Sequence, residues 1–349
     1  MEKSPQAKNL GNLVHHRYTE ADMSLLRLLI FIPLQILFVP MAILGVILVS
    51  YRQIKVSKTL GVSQTAIEVL NGRWTMHTFG IREDEATDKL ANTLANTSVI
   101  GLWLTLAPLW LTAKLTGGLF LYPRIPDAGD EDLRDLIVAR TLYIDRLIEN
   151  AMDRVEQVVF LGAGYDTRAY GKLARENATF FELDQIAVQT HKRQALADAG
   201  ISSEHVRFVP VDFSNDDAFS KLAEAGYDPD KRTLFLWEGV TLYLREADVR
   251  KTIQEVRRHS PAGSVFIADL YSETFVKKLG GSGGAKKLLE YTNEGLAFGL
   301  PMAADYEKNL SDFIESESMS VGDTFFMGEN SSKGPYMVIV EVKQESAIS

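Results

Sequence analysis

The chain has 349 residues, a length that suits about two domains. Lys and Arg total 37 against 46 Asp and Glu, a net charge of −9, so no basic footprint for nucleic acid is present. Cysteine is absent, which excludes disulfides, cysteine metal sites and thiol nucleophiles and fits a reducing, cytosol-facing compartment; 46% hydrophobic and 24% charged residues describe neither a disordered chain nor a polytopic transporter.

The first element is apolar without interruption. Leu28 to Val49 (LLIFIPLQILFVPMAILGVILV) carries no charge, and Gln35 is its one strongly polar residue. A helix of about 20 apolar residues crosses the hydrocarbon core of a bilayer, whereas the apolar part of a signal peptide is shorter, about 7–15 residues. Membrane association is therefore expected, with Pro33 and Pro40 equally able to bend the segment into a hairpin. Basic residues flank both ends (Lys8, Arg17 and Arg27; Arg52, Lys55 and Lys58), so charge does not fix the orientation. Ser63 to Asn96 is polar and helical in pattern, with Ile81 to Glu85 (IREDE) as a solvated charge run. A second apolar stretch, Ser98 to Pro123, is interrupted by Pro108, Lys114 and Gly117–Gly118 and carries Trp103, Trp110 and Tyr122, which suit an interface. This pattern predicts a re-entrant or interfacial helix pair. Residues 1–125 thus form an all-α, hydrophobic, membrane-associated region, its apolar segments at 28–49 and 98–122.

From residue 126 the pattern is that of an α/β domain running to 349. Short runs rich in β-formers lie at Glu156–Leu161, Thr179–Asp184, Val206–Val211, Thr233–Trp237 and Ser264–Ala268, the last closed by Asp269. Helical patterns such as Ile186–Ala199 and Glu246–Arg258 separate them, which predicts right-handed crossovers and a Rossmann-like, doubly wound, mostly parallel sheet. Asp323–Met327 and Tyr336–Val342 lie too close together for a helical crossover and read as an antiparallel pair at one edge. Lys278 to Gly284 reads as a flexible loop.

Ligands in such sheets bind beyond the carboxyl ends of the strands. Gly162 and Gly164 permit a tight turn and close approach of the backbone. About 20 residues on, Glu182 and Asp184 are both placed to accept ribose hydroxyls, and strand alternation puts them on one side without choosing between them. Asp212 and Phe213 follow the third strand, where an acid and a ring suit an adenine. The dinucleotide fingerprint fails at its last position, where Thr167 replaces the third glycine, and no P-loop occurs. The six histidines (His15, His16, His77, His191, His205 and His259) show no metal-ligand spacing, so no metal is expected.

VVFLGAGYDTRAY (158–170), FFELDQ (180–185), PVDF (210–213) and WEGVTLYL (237–244), preceded by ARTLYID (139–145), occur in order. Together they resemble the leucine carboxyl methyltransferase-like family of class I S-adenosylmethionine-dependent methyltransferases. The resemblance implies S-adenosylmethionine as cofactor. It implies Arg140 as the arginine holding the methionyl carboxylate, Gly162, Ala163 and Gly164 beneath the cofactor, and Arg168 in the family's DTR element. It further implies Asp184 as the ribose acid, with Glu182 and Gln185 beside it, and Asp212 and Phe213 on the adenine side. Glu238, near the methionyl part, and Tyr243, lining the pocket, are the candidates for catalysis. Arg168 could instead simply pair with Asp166 or Glu182, and Tyr243 could be core. Ser63–Ala66 and Gly72–Arg73 resemble elements of the cap over the active site in soluble relatives. Residues 63–96 would then share a membrane face with the catalytic domain, at the cytoplasm, which favours a re-entrant second segment. The expected activity is O-methylation of a carboxylate or hydroxyl on a hydrophobic or lipid-like acceptor, with the bilayer as the other partner. The alternatives are a non-catalytic, membrane-tethered binding module on the same fold and an NAD(P)-dependent oxidoreductase.

Overall fold

The computed structural model describes residues 24–171, 174, 178–213, 215–281 and 295–344. Lys8 and Arg17 lie outside the described residues. Two compact units are present. One takes in the chain up to Thr141 together with Gln194–Ile201, and the other takes in Leu142–Arg193 and the chain from Ser202 on.

The first unit is all α. Helix α1 (Ser24–Ser50) runs unbroken through Pro33 and Pro40. It continues into a π-helical turn (Tyr51–Val56) and a short turn that Gly61 closes in the left-handed conformation. No hairpin forms at the prolines. Helices α2 (Gln64–Thr78), α3 (Glu85–Thr93) and α4 (Val99–Thr116) each begin at a side-chain cap. Ser63 accepts from the Ala66 N–H at 3.2 Å, Asp84 from Thr87 at 2.9 Å and Ser98 from Gly101 at 3.1 Å. The stretch expected to be a helix pair is the single helix α4, with Pro108 inside it. Along it Thr105, Thr112 and Thr116 turn their hydroxyls back onto backbone carbonyls four residues earlier. Polar atoms in an apolar segment are thus satisfied internally, and one missing N–H does not end the helix.

Helices α1 and α4 pack antiparallel. Gly45 and Gly101 allow the approach: a Cβ on Gly45 would lie 2.5 Å from Thr105 Oγ1 and 2.6 Å from the Gly101 carbonyl oxygen. Further along, the Phe31 and Phe120 rings lie 5.4 Å apart. The expected solvated charge run also differs, because Asp84 is buried, pairs with Arg82 and caps α3. Helix starts leave donors unsatisfied, and an acid at that place is drawn in to meet them.

Helix α5 (Leu136–Ala151) leads from the first unit into the second. There the strands are β1 (Gln157–Leu161), β2 (Thr179–Asp184), β3 (Val206–Pro210), β4 (Thr233–Trp237), β5 (Val265–Tyr271), β6 (Ser320–Met327) and β7 (Met337–Lys343). They form one sheet in the order β3-β2-β1-β4-β5-β7-β6. The first five pair in parallel, while β7 and β6 are antiparallel at one edge. Helices α6 (Ile186–Asp198), α7 (Ala218–Glu224) and α8 (Glu246–Arg258) intervene. This is a Rossmann-like α/β fold whose strand order reverses between β1 and β4. Strands β1 and β4 are buried along their whole length, as expected where a parallel sheet is covered on both faces. Asp269 does not close β5 but sits inside it, wholly buried; its carboxylate accepts the Gly239 N–H and the Tyr271 hydroxyl. Lys278–Gly281 is not loop but the end of helix α9 (Glu273–Gly281), and Ser282–Gly284 lie outside the described residues. Helix α10 (Tyr306–Glu315) precedes the edge pair.

Candidate active site at the strand ends

Beyond β1 the chain turns at two glycines with positive φ, +78° at Gly162 and +48° at Gly164. A side chain at Gly162 would be strained twice over, since its Cβ would also lie 2.5 Å from Val240 Cγ2 in the loop after β4. The Gly162 and Ala163 N–H groups donate to the Leu183 carbonyl at 2.8 and 3.0 Å, folding the turn back onto β2. At the end of β2, Asp184 accepts the Gly164 N–H at 2.6 Å and the Gln185 N–H at 2.7 Å. The Val211 N–H donates to the Asp184 carbonyl at 2.9 Å, which sets Asp212 and the half-buried Phe213 next along the edge. Asp212 accepts from Asn215 at 2.8 Å, and its own N–H is taken by Asp216.

Arg168 ties this turn to the other side of the strand reversal. Its wholly buried guanidinium donates from Nε to Asp145 and from Nη1 to both Asp166 and Glu238, each at 2.6 Å. Burial alone would lower the pKa of this arginine; the three carboxylates raise it well above the ordinary value instead. Three carboxylates on one guanidinium leave an excess of negative charge where the loops after β1 and β4 meet, a field suited to a cationic ligand. Arg168 is thus occupied with protein carboxylates, and of the two pairings open to it in the sequence it makes the one with Asp166.

The two β2 acids that alternation could not separate have different partners. Glu182 is 1% exposed and pairs at 2.7 Å with Lys192 Nζ, itself buried on α6 and also donating to the Asp166 carbonyl. Burial pushes the Glu182 carboxyl up, and Lys192 opposes it. Asp184 lies at the strand end, and there too burial pushes the carboxyl up against its backbone hydrogen bonds. Tyr243 is half-buried in a single 3₁₀ turn (Thr241–Tyr243) that follows β4 and Glu238. Arg140 is buried on α5, within the first compact unit. Among the described residues no group of three or more histidines and acids is placed to hold a metal. His191 and His205 instead bond Tyr165 and the Ala169 carbonyl.

Sequence reasoning named Asp166 only as one of two pairings for Arg168, and missed Asp145 and Lys192. Asp145 and Asp166 stand in the very strings that carry the resemblance, and an arginine flanked by acids is the available signal. Lys192, on a helix of unremarkable polarity, gives none.

The sequence profile described as leucine carboxyl methyltransferase matches residues 82–257, half of the chain. The chain belongs to the leucine carboxyl methyltransferase family. Individual relatives agree. A protein of Mycolicibacterium smegmatis is 29% identical over 203 residues, 58% of this chain and 60% of the relative. One from Bacillus subtilis is 28% identical over 188 residues, 53% and 60%. One from Streptomyces avermitilis is 31% identical over 180 residues, 50% and 64%. All three are named provisionally as S-adenosyl-L-methionine-dependent methyltransferases, and this chain spans less than two thirds of each. Among solved structures, the magnesium protoporphyrin IX methyltransferase of Synechocystis is similar at 14% identity and a TM-score of 0.39, over 62% of this chain and 90% of that one.

Proposed function

We propose that this family member is an S-adenosylmethionine-dependent methyltransferase acting on an oxygen, carboxylate or hydroxyl, of a hydrophobic or lipid-like molecule at a membrane. One observation carries the reading: the turn after β1 is bonded at once to the ends of β2 and β4, through Gly164–Asp184 at 2.6 Å and Arg168–Glu238 at 2.6 Å. The ends of β1 and β4 flank the reversal point, where doubly wound sheets take their ligands, and β2 adjoins it.

The residues fit the cofactor. S-adenosylmethionine supplies a methyl group on a sulfonium, already activated for in-line displacement. Its ribose hydroxyls call for an acceptor at the end of β2, where Asp184 stands held by two backbone N–H groups. Its adenine is assigned to Asp212 and Phe213, and its methionyl carboxylate to Arg140, whose planar fork suits bidentate recognition. Its positive charges match the acids gathered on Arg168. Glycine at 162 and 164 leaves backbone, not side chain, facing that space. No third glycine supports a dinucleotide, since Thr167 stands there wholly buried.

The chain's own chemical work is then positioning. A carboxylate acceptor is ionised at neutral pH and needs no base, only placement about 3 Å from the methyl carbon in a site that excludes water. A hydroxyl acceptor must lose a proton, and Glu238, paired with Arg168, with Tyr243 in the next turn, is the candidate to receive it.

Helices α1 and α4 support the membrane setting. Both are long and apolar enough to cross a bilayer, and only 6% of the most apolar window of the first is buried, where a core helix would be mostly covered. Leu29, Ile36 and Leu37 are 62–68% exposed. Six residues after α4 ends, Tyr122 lines one cavity with Thr75 of α2, a return that supports the re-entrant reading. We place the catalytic domain in the cytoplasm, in keeping with the absence of cysteine.

The test is turnover. Membranes holding the full chain, supplied with S-adenosylmethionine tritiated at the methyl group, should label an extractable lipid-soluble product heavier by one CH₂, and an Asp184→Ala chain should not. Cofactor binding without any turnover on membrane extract would point to the non-catalytic binding module. A chain that stays wholly soluble without detergent would remove the membrane from the reading.

A further inference from the structure

Lys192 departs from the pattern of its own helix. The stripe that α6 buries runs through Val188, Ala195 and Leu196, and within it, where an apolar residue is expected, stands the Lys192 side chain, 1% exposed. Lysine is almost never fully buried unless paired, and breaks of this kind gather at functional sites. One turn back on the same face, Gln189 donates to the Glu182 carbonyl at 2.7 Å and to the Val209 carbonyl at 3.0 Å, which fixes α6 against β2 and β3. From that fixed base the Lys192 ammonium donates to the Glu182 carboxylate and to the Asp166 carbonyl, both at 2.7 Å. It also lies 5.3 Å from the centre of the Tyr170 ring.

Asp166 and Tyr170 both belong to the stretch that follows β1. The acceptor at Asp166 is a backbone carbonyl, so the bond from Lys192 sets the course of the chain and not the direction of one side chain. Two residues before Asp166, Gly164 gives its N–H to Asp184; the Asp166 carboxylate itself pairs with Arg168, which reaches Asp145 and Glu238. We propose that Lys192 is a positioning residue for S-adenosylmethionine: anchored on Glu182, it holds the Asp166 carbonyl so that the turn from Gly162 to Arg168 presents its backbone to the cofactor. Lys192 acts through the turn and touches no ligand. Glu182 is then the anchor of the ammonium, which leaves Asp184 as the β2 acid for the ribose. Burial pushes the Asp184 carboxyl up, and the Lys192 charge is among the influences that oppose it. The role rests on the cofactor site proposed above, and the affinity of the wild-type chain tests that site on its own.

The experiment separates positioning from stability in the full chain, purified in detergent. Lys192→Met removes both hydrogen bonds and leaves the Glu182 carboxylate buried without its ammonium. Glu182→Met combined with Lys192→Met removes the whole pair, and apolar replacement of a buried ion pair is often neutral for stability. The single variant is expected to melt about 10 °C lower and to bind S-adenosylmethionine about tenfold more weakly in calorimetry. The double variant should regain the wild-type melting temperature and yet keep the tenfold loss of affinity. Without ligand, the amides of residues 164–168 should exchange about tenfold faster in it than in the wild type, while those of β1 exchange as in the wild type. Should the single variant not fold, the double variant decides. Affinity that returns together with stability in the double variant would show the lysine to be packing alone and overturns the proposal, as does a Lys192→Met chain that binds normally. A double variant whose turn is protected as in the wild type while affinity is lost would put Glu182 itself on the ribose, and overturns it too.

Discussion

The two units hold their structures by opposite means. In the sheet unit the functional edge is held by charge: one buried guanidinium gathers acids from α5, from the turn after β1 and from the end of β4. In the helical unit the apolar pair α1 and α4 is held by shape, two glycines letting the backbones approach where no charge is present. In the membrane setting proposed above the contrast follows from surroundings. Buried ions need close partners or they destabilise, while apolar helices facing lipid would gain little from hiding apolar surface and depend on close packing.

The sharpest way to break this comparison is at Arg168. Replacing it with Met takes from Asp145, Asp166 and Glu238 the cation they share, and removing one partner of a buried ionic cluster typically costs about 3–5 kcal/mol. Chemical denaturation followed by a probe in the sheet unit should show a loss of that order, with cofactor binding lost alongside. Arg168→Lys should recover only part of it, since an ammonium cannot serve three carboxylates through a planar fork. A loss below about 1 kcal/mol in Arg168→Met would mean the acids are solvated and the edge is held some other way.

At Asp184 the expectation is a binding defect in a folded protein. Asp184→Ala should weaken S-adenosylmethionine by about 1.5–3 kcal/mol in calorimetry, the range for a charge-assisted hydrogen bond. The pH dependence has a definite sign. Burial raises this carboxyl in the folded protein, so it takes up a proton at a higher pH than an ordinary aspartate. Cofactor affinity, which needs the ionised acceptor, should begin to fall as pH is lowered while exposed carboxylates are still charged, and Asp184→Asn should flatten that fall. The same raised pKa means that the charge at Asp184 counts against folding above the unfolded value, the reverse of a salt-bridged acid.

How much of this the sequence carried differs between the units for a physical reason. The strand runs, the helix Glu246–Arg258 and the antiparallel edge pair follow from period and spacing, which local chemistry imposes whatever the neighbours do. Asp184 and Glu182 could not be separated, because that choice depends on Lys192, brought to β2 by the folding of α6. The helix pair predicted for Ser98–Pro123 fails at Pro108, which lies inside α4, whereas the glycine signal holds, Gly117 ending the helix in the left-handed conformation. In α4 the backbone bonds internally and the threonines add to it, so the breaks that Pro108 suggests do not occur. The IREDE run misleads similarly: composition marks it as solvated, while the start of α3 draws Asp84 inside.

The helix pair gives the next prediction. Gly101→Leu places carbon where a Cβ alone would lie 2.9 Å from the Gly45 carbonyl and 2.9 Å from Val49 Cγ2. Overpacking of this kind costs about 1–3 kcal/mol. It should show as easier proteolysis and faster hydrogen exchange in α1 and α4, with cofactor binding by the sheet unit unchanged. If exchange in β1 and β4 rose as much, the division into a charge-held unit and a shape-held unit would be lost.

The smallest effect belongs to Asp84, a place where the helical unit, too, relies on charge. Burial pushes its carboxyl up, but Arg82 and the Thr87 N–H and hydroxyl together outweigh that and hold it below the ordinary value. A lowered pKa in the folded state makes this acid stabilising above the unfolded value near 3.8, with the contribution lost as pH falls through the lower folded value. Asp84→Ala should therefore cost about 1 kcal/mol at neutral pH, the usual worth of a helix cap, and less at a pH where the wild-type acid is protonated and keeps only its cap oxygen. Asp84→Asn, which keeps a cap oxygen but not the charge, should fall between the two at neutral pH, and the difference between Asn and Asp isolates the pairing with Arg82. Melting curves of the three chains measured at neutral and acidic pH separate the cap from the ion pair. A deficit in Asp84→Ala that persists undiminished in acid would show that the carboxylate's charge plays no part in holding α3.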